Sequence, residues 1–296
     1  RPEAVTPSQL IWLWPMTSRP SRDAQNVFLD GSFVSSTTAT GRLGQQVSAI
    51  RPITTVVLDP ESLEAADAAT ASYRIASGTG STPGSGASAA TAWATKVRAT
   101  KAGDWWSLPY ANVDADALTR AGLTGDVVAS VTDSAARTAA LLRPAHGVIG
   151  WAAGGDVDQA TLDAWWTAGV RTTVLSDRAM PPATALNYTP SGLSSIVTSG
   201  GTMTAVLLDS GLSDSLAALQ GTQAQITAAR QRFLAESAMV TADLPDSPRT
   251  VVVGPSAPVW SADPVALQEL LNAVDVAPWI TPITLTAALK SPPTPE

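Results

Sequence analysis

The stretch GVIGWAAGGDVDQATLDAWWTAGVRTTVLSD, residues 147–177, contains one complete strand–helix–strand unit. Its apolar run 147–151 is short enough for a buried strand, and a polar turn with two glycines follows at once. Asp156 or Asp158 can cap the helix that comes next. The chain then returns in the apolar run 170–175. Two apolar strands joined by a helix are parallel neighbours, so this stretch predicts a buried parallel sheet.

The same alternation of apolar runs and helical segments recurs along the chain. Strands are predicted at residues 9–14, 53–58, 104–108, 147–151, 170–175, 203–208 and 250–253. Pro15 is expected to end the first strand because proline cannot donate to a ladder. No glycine-rich nucleotide-binding turn follows that strand. The pattern predicts one α/β domain over residues 1–296, a (β/α)7 barrel-like, incomplete TIM-type barrel rather than an open sheet.

Two segments are predicted from their turn and linker residues. The sequence Ser199-Gly200-Gly201-Thr202 is typical of a hairpin before the strand at 203–208. Residues 76–89 are rich in Gly and Ser and are expected to form a flexible loop. Both ends of the chain are polar and rich in proline, which indicates a domain excised from a longer protein.

Composition argues against several classes of function. The formal net charge of −7 and the scattered Lys and Arg residues argue against a nucleic-acid partner. No apolar run approaches the roughly 20 residues of a membrane-spanning helix. The chain has no cysteine and one histidine, His146, which excludes disulfides and imidazole or thiolate metal sites. Neither a metal nor another cofactor is expected.

Four aspartates follow predicted strands directly or after a short turn: Asp59, Asp156, Asp177 and Asp209. In a β/α barrel, ligands meet the carboxyl ends of the strands. Paired carboxylates there are what glycoside hydrolysis requires, one as acid and one as nucleophile or base. Aspartate is also the ordinary cap of a following helix, and capping is favoured for Asp156. Both alternatives stay open for the others, so Asp59, Asp177 and Asp209 are catalytic candidates only if the domain is active.

Aromatic residues near strand ends complete the expected site. The chain has ten tryptophans, and Trp14, Trp151 and Trp260 lie close to the ends of predicted strands. Their indole rings either belong to the core or stack on sugar rings. Tyr110 also follows a strand. The predicted ligand-binding residues at the barrel mouth are Trp14, Asp59, Tyr110, Trp151, Asp156, Asp177, Asp209 and Trp260.

Five segments together resemble the actinobacterial domain of unknown function 6049. They are IWLWPMTSRP (11–20), VVLDPESLEA (56–65), SLPYANVDADALTRAGL (107–123), VDQATLDAWWTAGVRTTVLSD (157–177) and APWITPITL (277–285). Members of that family look like exported, membrane-anchored proteins whose gene tends to lie beside that of the lipid II flippase MurJ. The resemblance implies an extracytoplasmic location in the cell envelope.

The same segments are distantly similar to glycoside hydrolase family 57 and to polysaccharide deacetylases, which fold as seven-stranded β/α barrels. The departures are informative. Residues 12–15 stand where those hydrolases carry a histidine-containing motif, and GWAAGG (150–155) stands where their Trp-x-Pro-Glu motif places the nucleophile. The resemblance implies that Gly154 or Gly155 replaces that glutamate. The paired metal-binding histidines of the deacetylases are also missing.

These observations favour a degenerate, non-catalytic barrel that binds envelope glycan or a lipid-linked cell-wall precursor, or that scaffolds peptidoglycan synthesis. A first alternative is an active glycoside hydrolase that uses the strand-end aspartates. A second is a structural extracytoplasmic domain that contacts a membrane protein of cell-wall synthesis, such as the flippase.

Overall fold

The chain alternates strands and helices throughout. The structure is a computed structural model that describes residues 6–70, 72–141 and 145–290. The strands are β1 (Ser8–Met16), β2 (Val27–Phe28), β3 (Thr55–Leu58), β4 (Arg74–Ser77), β5 (Gly80–Pro83), β6 (Asp104–Ser107), β7 (Ile149–Trp151), β8 (Thr172–Ser176), β9 (Leu193–Thr198), β10 (Gly201–Leu208), β11 (Thr250–Val253) and β12 (Ile280–Ile283). The helices are α1 (Ser32–Thr37), α2 (Arg42–Ala49), α3 (Pro60–Ala69), α4 (Ala87–Ala99), α5 (Ala115–Arg120), α6 (Thr124–Leu141), α7 (Gln159–Thr167), α8 (Ser210–Ala217), α9 (Gln223–Asp243), α10 (Pro264–Asp275) and α11 (Leu285–Leu289).

Seven parallel strands form the main sheet in the order β6-β3-β1-β11-β10-β8-β7. The strands at the two ends of this order, β6 and β7, are joined by a single parallel bridge between Ser107 and Val148 rather than by a full ladder. Two backbone bonds support the bridge: Ser107 donates to Gly147 (3.0 Å) and His146 donates to Trp105 (2.9 Å). The sheet therefore curves round into a barrel-like arrangement with one sparse junction, and the α/β class predicted from the sequence is confirmed.

Alternate residues of the strands fill two separate cores. In β1, Ile11 and Leu13 belong to a cluster with residues of β3, β6, β7, β8, β10 and β11, so they face the barrel interior. Trp12 and Trp14 belong to a second cluster with residues of the surrounding helices. This division follows from the two-residue period of a strand, because successive side chains point to opposite faces. Both faces of β1 are thus buried, which explains its continuous apolar sequence.

Additional elements fill the amino-terminal end of the barrel. Strand β12 pairs with the first half of β1, and β9 forms an antiparallel hairpin with β10, which confirms the turn predicted at 199–202. Helix α11 follows β12 and places Leu285 and Ala288 in the interior cluster. Its first turn is held by two side chains of the wall: Leu285 N–H donates to Thr55 Oγ1 and Thr286 N–H to Asp104 Oδ2, both at 2.8 Å. Helix α11 thereby plugs this end of the barrel.

The expectation that Pro15 ends the first strand is wrong. Pro15 lies inside β1 and pairs with Val57 of β3. Its carbonyl oxygen accepts from Trp260 Nε1 (3.1 Å), so its peptide group faces away from β3, on the side where β11 has already ended at Val253. No ladder bond needs the missing N–H at this position.

Residues 76–89, expected to be a flexible loop, contain most of the β4–β5 hairpin and the start of α4. The hairpin pairs with β2 through β4. Tyr73 anchors it, since its ring packs edge-on against Phe28 at 5.0 Å between centroids. Gly84 is needed beside this ring, because a Cβ atom at that position would lie 2.2 Å from it. None of the helices in the described ranges combines the length and apolarity that crossing a bilayer requires.

The hydrogen bond from Leu285 to Thr55 can be tested by its effect on stability. Thr55 is fully buried, and Thr55→Val keeps its shape but leaves the N–H of Leu285 without an acceptor. We expect chemical denaturation to show a loss of about 1–3 kcal/mol in the free energy of unfolding. Thr281→Val, the same exchange on the exposed side of β12, should stay within about 0.5 kcal/mol. Equal losses in the two variants would contradict a specific role for the Thr55 hydroxyl.

Candidate functional site

The carboxyl ends of the parallel strands carry two groups of polar side chains. One surrounds Asp59 at the ends of β1, β3 and β6, and the other contains Asp177 and Asp209 at the ends of β8 and β10. Strands β8 and β10 are neighbours, and β1 and β11 separate β3 from β10 in the sheet order. The structure therefore brings two of the predicted catalytic aspartates together and places the third elsewhere on the same face.

Asp59 has a structural role, because both of its carboxyl oxygens are hydrogen-bonded within the protein. It follows β3, is 0% exposed, and caps α3 by accepting from the N–H of Glu61 at 3.0 Å. The same oxygen, Oδ1, accepts from the N–H of Ala111 at 3.0 Å. The other oxygen, Oδ2, lies 2.8 Å from the hydroxyl of Thr17. Asp59 thus ties together the segments that follow β1, β3 and β6.

Burial, with a smaller contribution from the negative charge of Glu61, raises the pKa of Asp59 to about 8. The carboxyl group is therefore predominantly protonated at neutral pH. The hydrogen bonds that Asp59 accepts from Thr17, Glu61 and Ala111 lower its pKa and offset only part of the effect of burial. A protonated carboxyl group is a poor nucleophile.

A network of charged residues borders Asp59. Arg22 Nε lies 3.2 Å from Glu61 Oε1, and its Nη2 lies 3.3 Å from Glu64 Oε2. Glu64 also accepts from the hydroxyl of Tyr110 (2.9 Å) and from Nη1 of Arg137 (2.7 Å). Burial and Glu64 raise the pKa of Tyr110 to about 12, so this hydroxyl stays a donor. The network holds the expected site residue Tyr110 against α3.

The sequence predicts Asp59 and Tyr110 as site residues but not the four charged residues around them. A signal for two of these residues was present: Glu61 and Glu64 are three apart, which places them on one face of the helix that Asp59 caps. Arg22 and Arg137 come from segments far away in sequence. No local pattern links them to this site.

Asp177 and Asp209 both bind the beginning of α8. Asp177 Oδ2 accepts from the backbone N–H and the hydroxyl of Ser210, each at 3.1 Å. Asp209 caps the helix by accepting from the N–H of Leu212 at 2.9 Å. Burial, together with the negative charges of Asp177 and Glu236, raises the pKa of Asp209. Both carboxyl groups are half-buried and hydrogen-bonded to the first turn of the same helix.

Asp156 is not the cap of α7, in contrast to the alternative favoured from the sequence. The helix begins at Gln159, and Asp158 caps it by accepting from the N–H of Thr161 at 2.8 Å. Asp156 is exposed and follows a short 3₁₀ turn at Ala153–Gly155. Asp156 lies too early in the chain to cap α7, because a capping residue stands immediately before the first helical residue.

The three tryptophans expected at the mouth are buried. Trp14 is 1% exposed, faces the helices, and donates its indole N–H to the carbonyl of Gln46 at 3.2 Å. Trp260 meets it edge-on at 4.8 Å between centroids and is 9% exposed. Trp151 lies in the barrel interior. Trp14 and Trp151 offer no free ring face, because both faces of these parallel strands are covered.

The opening of the barrel at this end is bridged by backbone. The N–H of Gly154, after β7, donates to the carbonyl of Ser256, after β11, at 2.8 Å. Two strands, β10 and β8, separate β11 from β7, so this bond crosses the opening. Gly154 has a φ of +80°, and at Gly155 a Cβ atom would lie 2.6 Å from the backbone nitrogen of Ser176. Glycine is therefore required at both positions. Leu13, which faces the interior, is 0% exposed.

The raised pKa of Asp59 predicts how the free energy of unfolding depends on pH. Its folded pKa is above its unfolded value of 3.8, so the folded state retains a proton that the unfolded state loses between pH 4 and about 8. Its stabilising contribution is complete below pH 4 and falls as the pH rises. Relative to Asp59→Asn, the wild type should lose up to about 1.4 kcal/mol of unfolding free energy per pH unit in this window.

Urea denaturation at intervals from pH 4 to pH 8 measures this difference. Asp114→Asn, the same exchange at the cap of α5, controls for the loss of a capping carboxylate. Parallel stability curves for wild type and Asp59→Asn would contradict a neutral buried acid.

Solved structures share this architecture at low sequence identity. The 4-alpha-glucanotransferase from Thermococcus litoralis aligns with 98% of this chain and 41% of its own, with a TM-score of 0.60 and 12% identity. The alpha-amylase AmyC from Thermotoga maritima aligns over 98% and 76%, with a TM-score of 0.61 and 9% identity. The chain thus spans about two fifths of the glucanotransferase. These identities support a shared fold and nothing more.

The sequence itself matches a known family. No curated protein matches it. Residues 15–295 match the family of unknown function DUF6049, which is the family that the five quoted segments resemble. This match extends over nearly the whole chain, from the second half of β1 to beyond α11. The chain therefore belongs to the DUF6049 family.

Proposed function

We propose that this chain is a non-hydrolytic barrel of the cell envelope that binds glycan at the carboxyl ends of its strands. The likeness of its fold to a glucanotransferase and an amylase supports a carbohydrate-related origin. The family resemblance drawn from the sequence supports the envelope location. The arrangement of the strand-end carboxyl groups supports binding without turnover.

The observation that carries this proposal is the hydrogen bond from Gly154 to Ser256 across the barrel opening. In the resemblance to glycoside hydrolase family 57, Gly154 or Gly155 stands where those enzymes carry the nucleophilic glutamate. A glycine there supplies no carboxylate, and the N–H of Gly154 is instead bonded to the segment after β11.

The remaining aspartates do not replace the lost nucleophile. Glycoside hydrolysis needs two carboxyl groups on either side of the scissile bond, about 5–5.5 Å apart for retention or about 6.5–9.5 Å for inversion. Asp59 is fully buried and bonded to three partners. Asp177 and Asp209 sit on neighbouring strands and both bind the first turn of α8. All three groups are thus engaged in hydrogen bonds within the protein.

We place the glycan-binding surface around Asp177 and Asp209, beside the hydrogen bond between Gly154 and Ser256. Both carboxylates are half-buried and held rigidly by backbone N–H groups, which is typical of polar groups that orient a ligand. Exposed Arg178 lies next in the chain and pairs with Asp214 at 2.9 Å. Together these side chains present acceptors and donors for sugar hydroxyls.

Glycan binding and glycoside hydrolysis can be measured on the same protein samples. Wild-type protein should cosediment saturably with insoluble peptidoglycan or another envelope polysaccharide, and it should release neither reducing ends nor aryl leaving groups from activated glycosides. Asp177→Ala removes an acceptor from the proposed surface and should weaken binding by about tenfold or more, as loss of a hydrogen bond to a charged group does. Asp246→Ala, an exposed site just before β11 at the opposite end of the barrel, should have no effect.

The outcomes separate the alternatives. Turnover that disappears in Asp177→Ala or Asp209→Ala identifies an active hydrolase and overturns the proposal. Failure to bind any envelope glycan also overturns it and favours the structural role. Circular dichroism of each variant confirms that α8 remains folded.

A further inference from the structure

A cleft of about 250 Å³ lies outside the barrel wall, between α2 and α10. Its apolar lining includes Trp260, Pro264 and Leu267, and its polar lining includes Gln45 and Gln268. The cleft is separate from the strand-end carboxylates discussed above, none of which lines it. Strand β11 and the loop after it deliver Trp260, while α2 delivers the opposite side.

Arg42 is the single charged side chain among the described residues that line this cleft. Its Nη2 donates to the carbonyl of Thr17 at 2.8 Å, and its Nη1 lies 3.4 Å from Oε1 of Gln46. A guanidinium group has five N–H donors, so three remain without a described protein acceptor. Within the described residues, no carboxylate lies within ion-pair distance of Arg42.

The absence of a counter-ion distinguishes Arg42 from the other half-buried arginines near this end of the barrel. Arg22 pairs with Glu61 and Glu64, and Arg137 pairs with Glu64. Burial lowers the pKa of Arg42, and no neighbouring acid offsets this cost. A buried cation is stable when it is paired and hydrogen-bonded. Arg42 lines the cleft, so a ligand bound there can accept from its remaining donors.

We propose that this cleft binds a small monocarboxylate with a single ring. A carboxylate accepts two parallel N–H bonds from one guanidinium group, which is the strongest geometry that Arg42 can offer with its remaining donors. A phosphate dianion fits less well, because the cleft lining supplies one cation and no lysine. The proposal does not depend on glycan binding at the strand ends.

The size and lining of the cleft define the rest of the ligand. Its volume is below the roughly 300–1,000 Å³ of sites that hold drug-sized molecules, so a single ring with short substituents fits. Trp260 and Leu267 provide apolar contacts for a ring face. Gln45, Gln268 and Ser261 provide donors and acceptors for hydroxyl groups. An aromatic acid and a uronic acid share this chemistry.

The test compares each acid with a neutral counterpart on the full chain. Titrations monitored by NMR would use 4-methoxybenzoate against 4-methoxybenzamide, and methyl glucuronide against methyl glucoside. At least one acid should bind saturably and about tenfold or more tightly than its neutral counterpart, since hydrogen bonds to charged groups supply a difference of this size. The acid that binds identifies the source of the carboxylate.

Two variants locate the binding. Arg42→Gln should abolish the preference for the acid, and Ala262→Leu should block the cleft while keeping the charge of Arg42. Arg120→Gln, at an exposed arginine on α5, is the matched control and should bind as the wild type does. Thermal unfolding monitored by circular dichroism establishes that each variant is folded.

Three results overturn the proposal: no saturable binding of either acid at about 10 mM, a concentration that detects even weak millimolar sites; equal binding of acid and neutral counterpart; or unchanged binding in both cleft variants. If Arg42→Gln does not fold, Ala262→Leu alone decides the location.

Discussion

The parallel pairing of β1 is the constraint on which the rest of the structure depends. This strand pairs with β11 and β12 over its first half and with β3 over its second half. Its side chains alternate between the barrel interior and the layer of helices, and all but one of its residues are buried. Each neighbouring strand takes its register from these contacts. The polar segments after β1 and β3 are in turn fixed at the positions where Thr17 meets Asp59.

The strand-end carboxyl groups show how stability and chemistry compete for the same residues. An aspartate at the end of a strand can cap the following helix or face a ligand, and Asp59, Asp177 and Asp209 all bind backbone N–H groups. Burial has converted Asp59 into a neutral hydrogen-bonding group. After β7, Gly154 gives its N–H to a bond across the opening. Reaction sites in β/α barrels lie on this face, and here these strand-end residues are hydrogen-bonded to other parts of the chain.

The sequence predicts the class of fold well because strand periodicity, turn residues and helix spacing are local properties. The parallel pair in residues 147–177 and the hairpin at 199–202 are confirmed. The sequence does not determine which side of a continuously apolar strand faces the barrel interior, and this decides the burial of Trp14. It also cannot predict hydrogen bonds between distant segments. Arg22 beside Glu61, and the carboxylate-free cleft around Arg42, depend on the final packing of helices far apart in the chain.

The pairing of β1 with strands from the other end of the chain has a consequence for how the protein folds. Gln9 and Thr250, which bond through their side chains, are 241 residues apart. Contacts of such long range close slowly, because the entropy of a very large loop is lost before they form. Until β11 and β12 have been synthesised, β1 has apolar faces and an unpaired edge, which is the kind of segment that associates with other chains. A nascent chain of this protein therefore needs protection until its last strands are available.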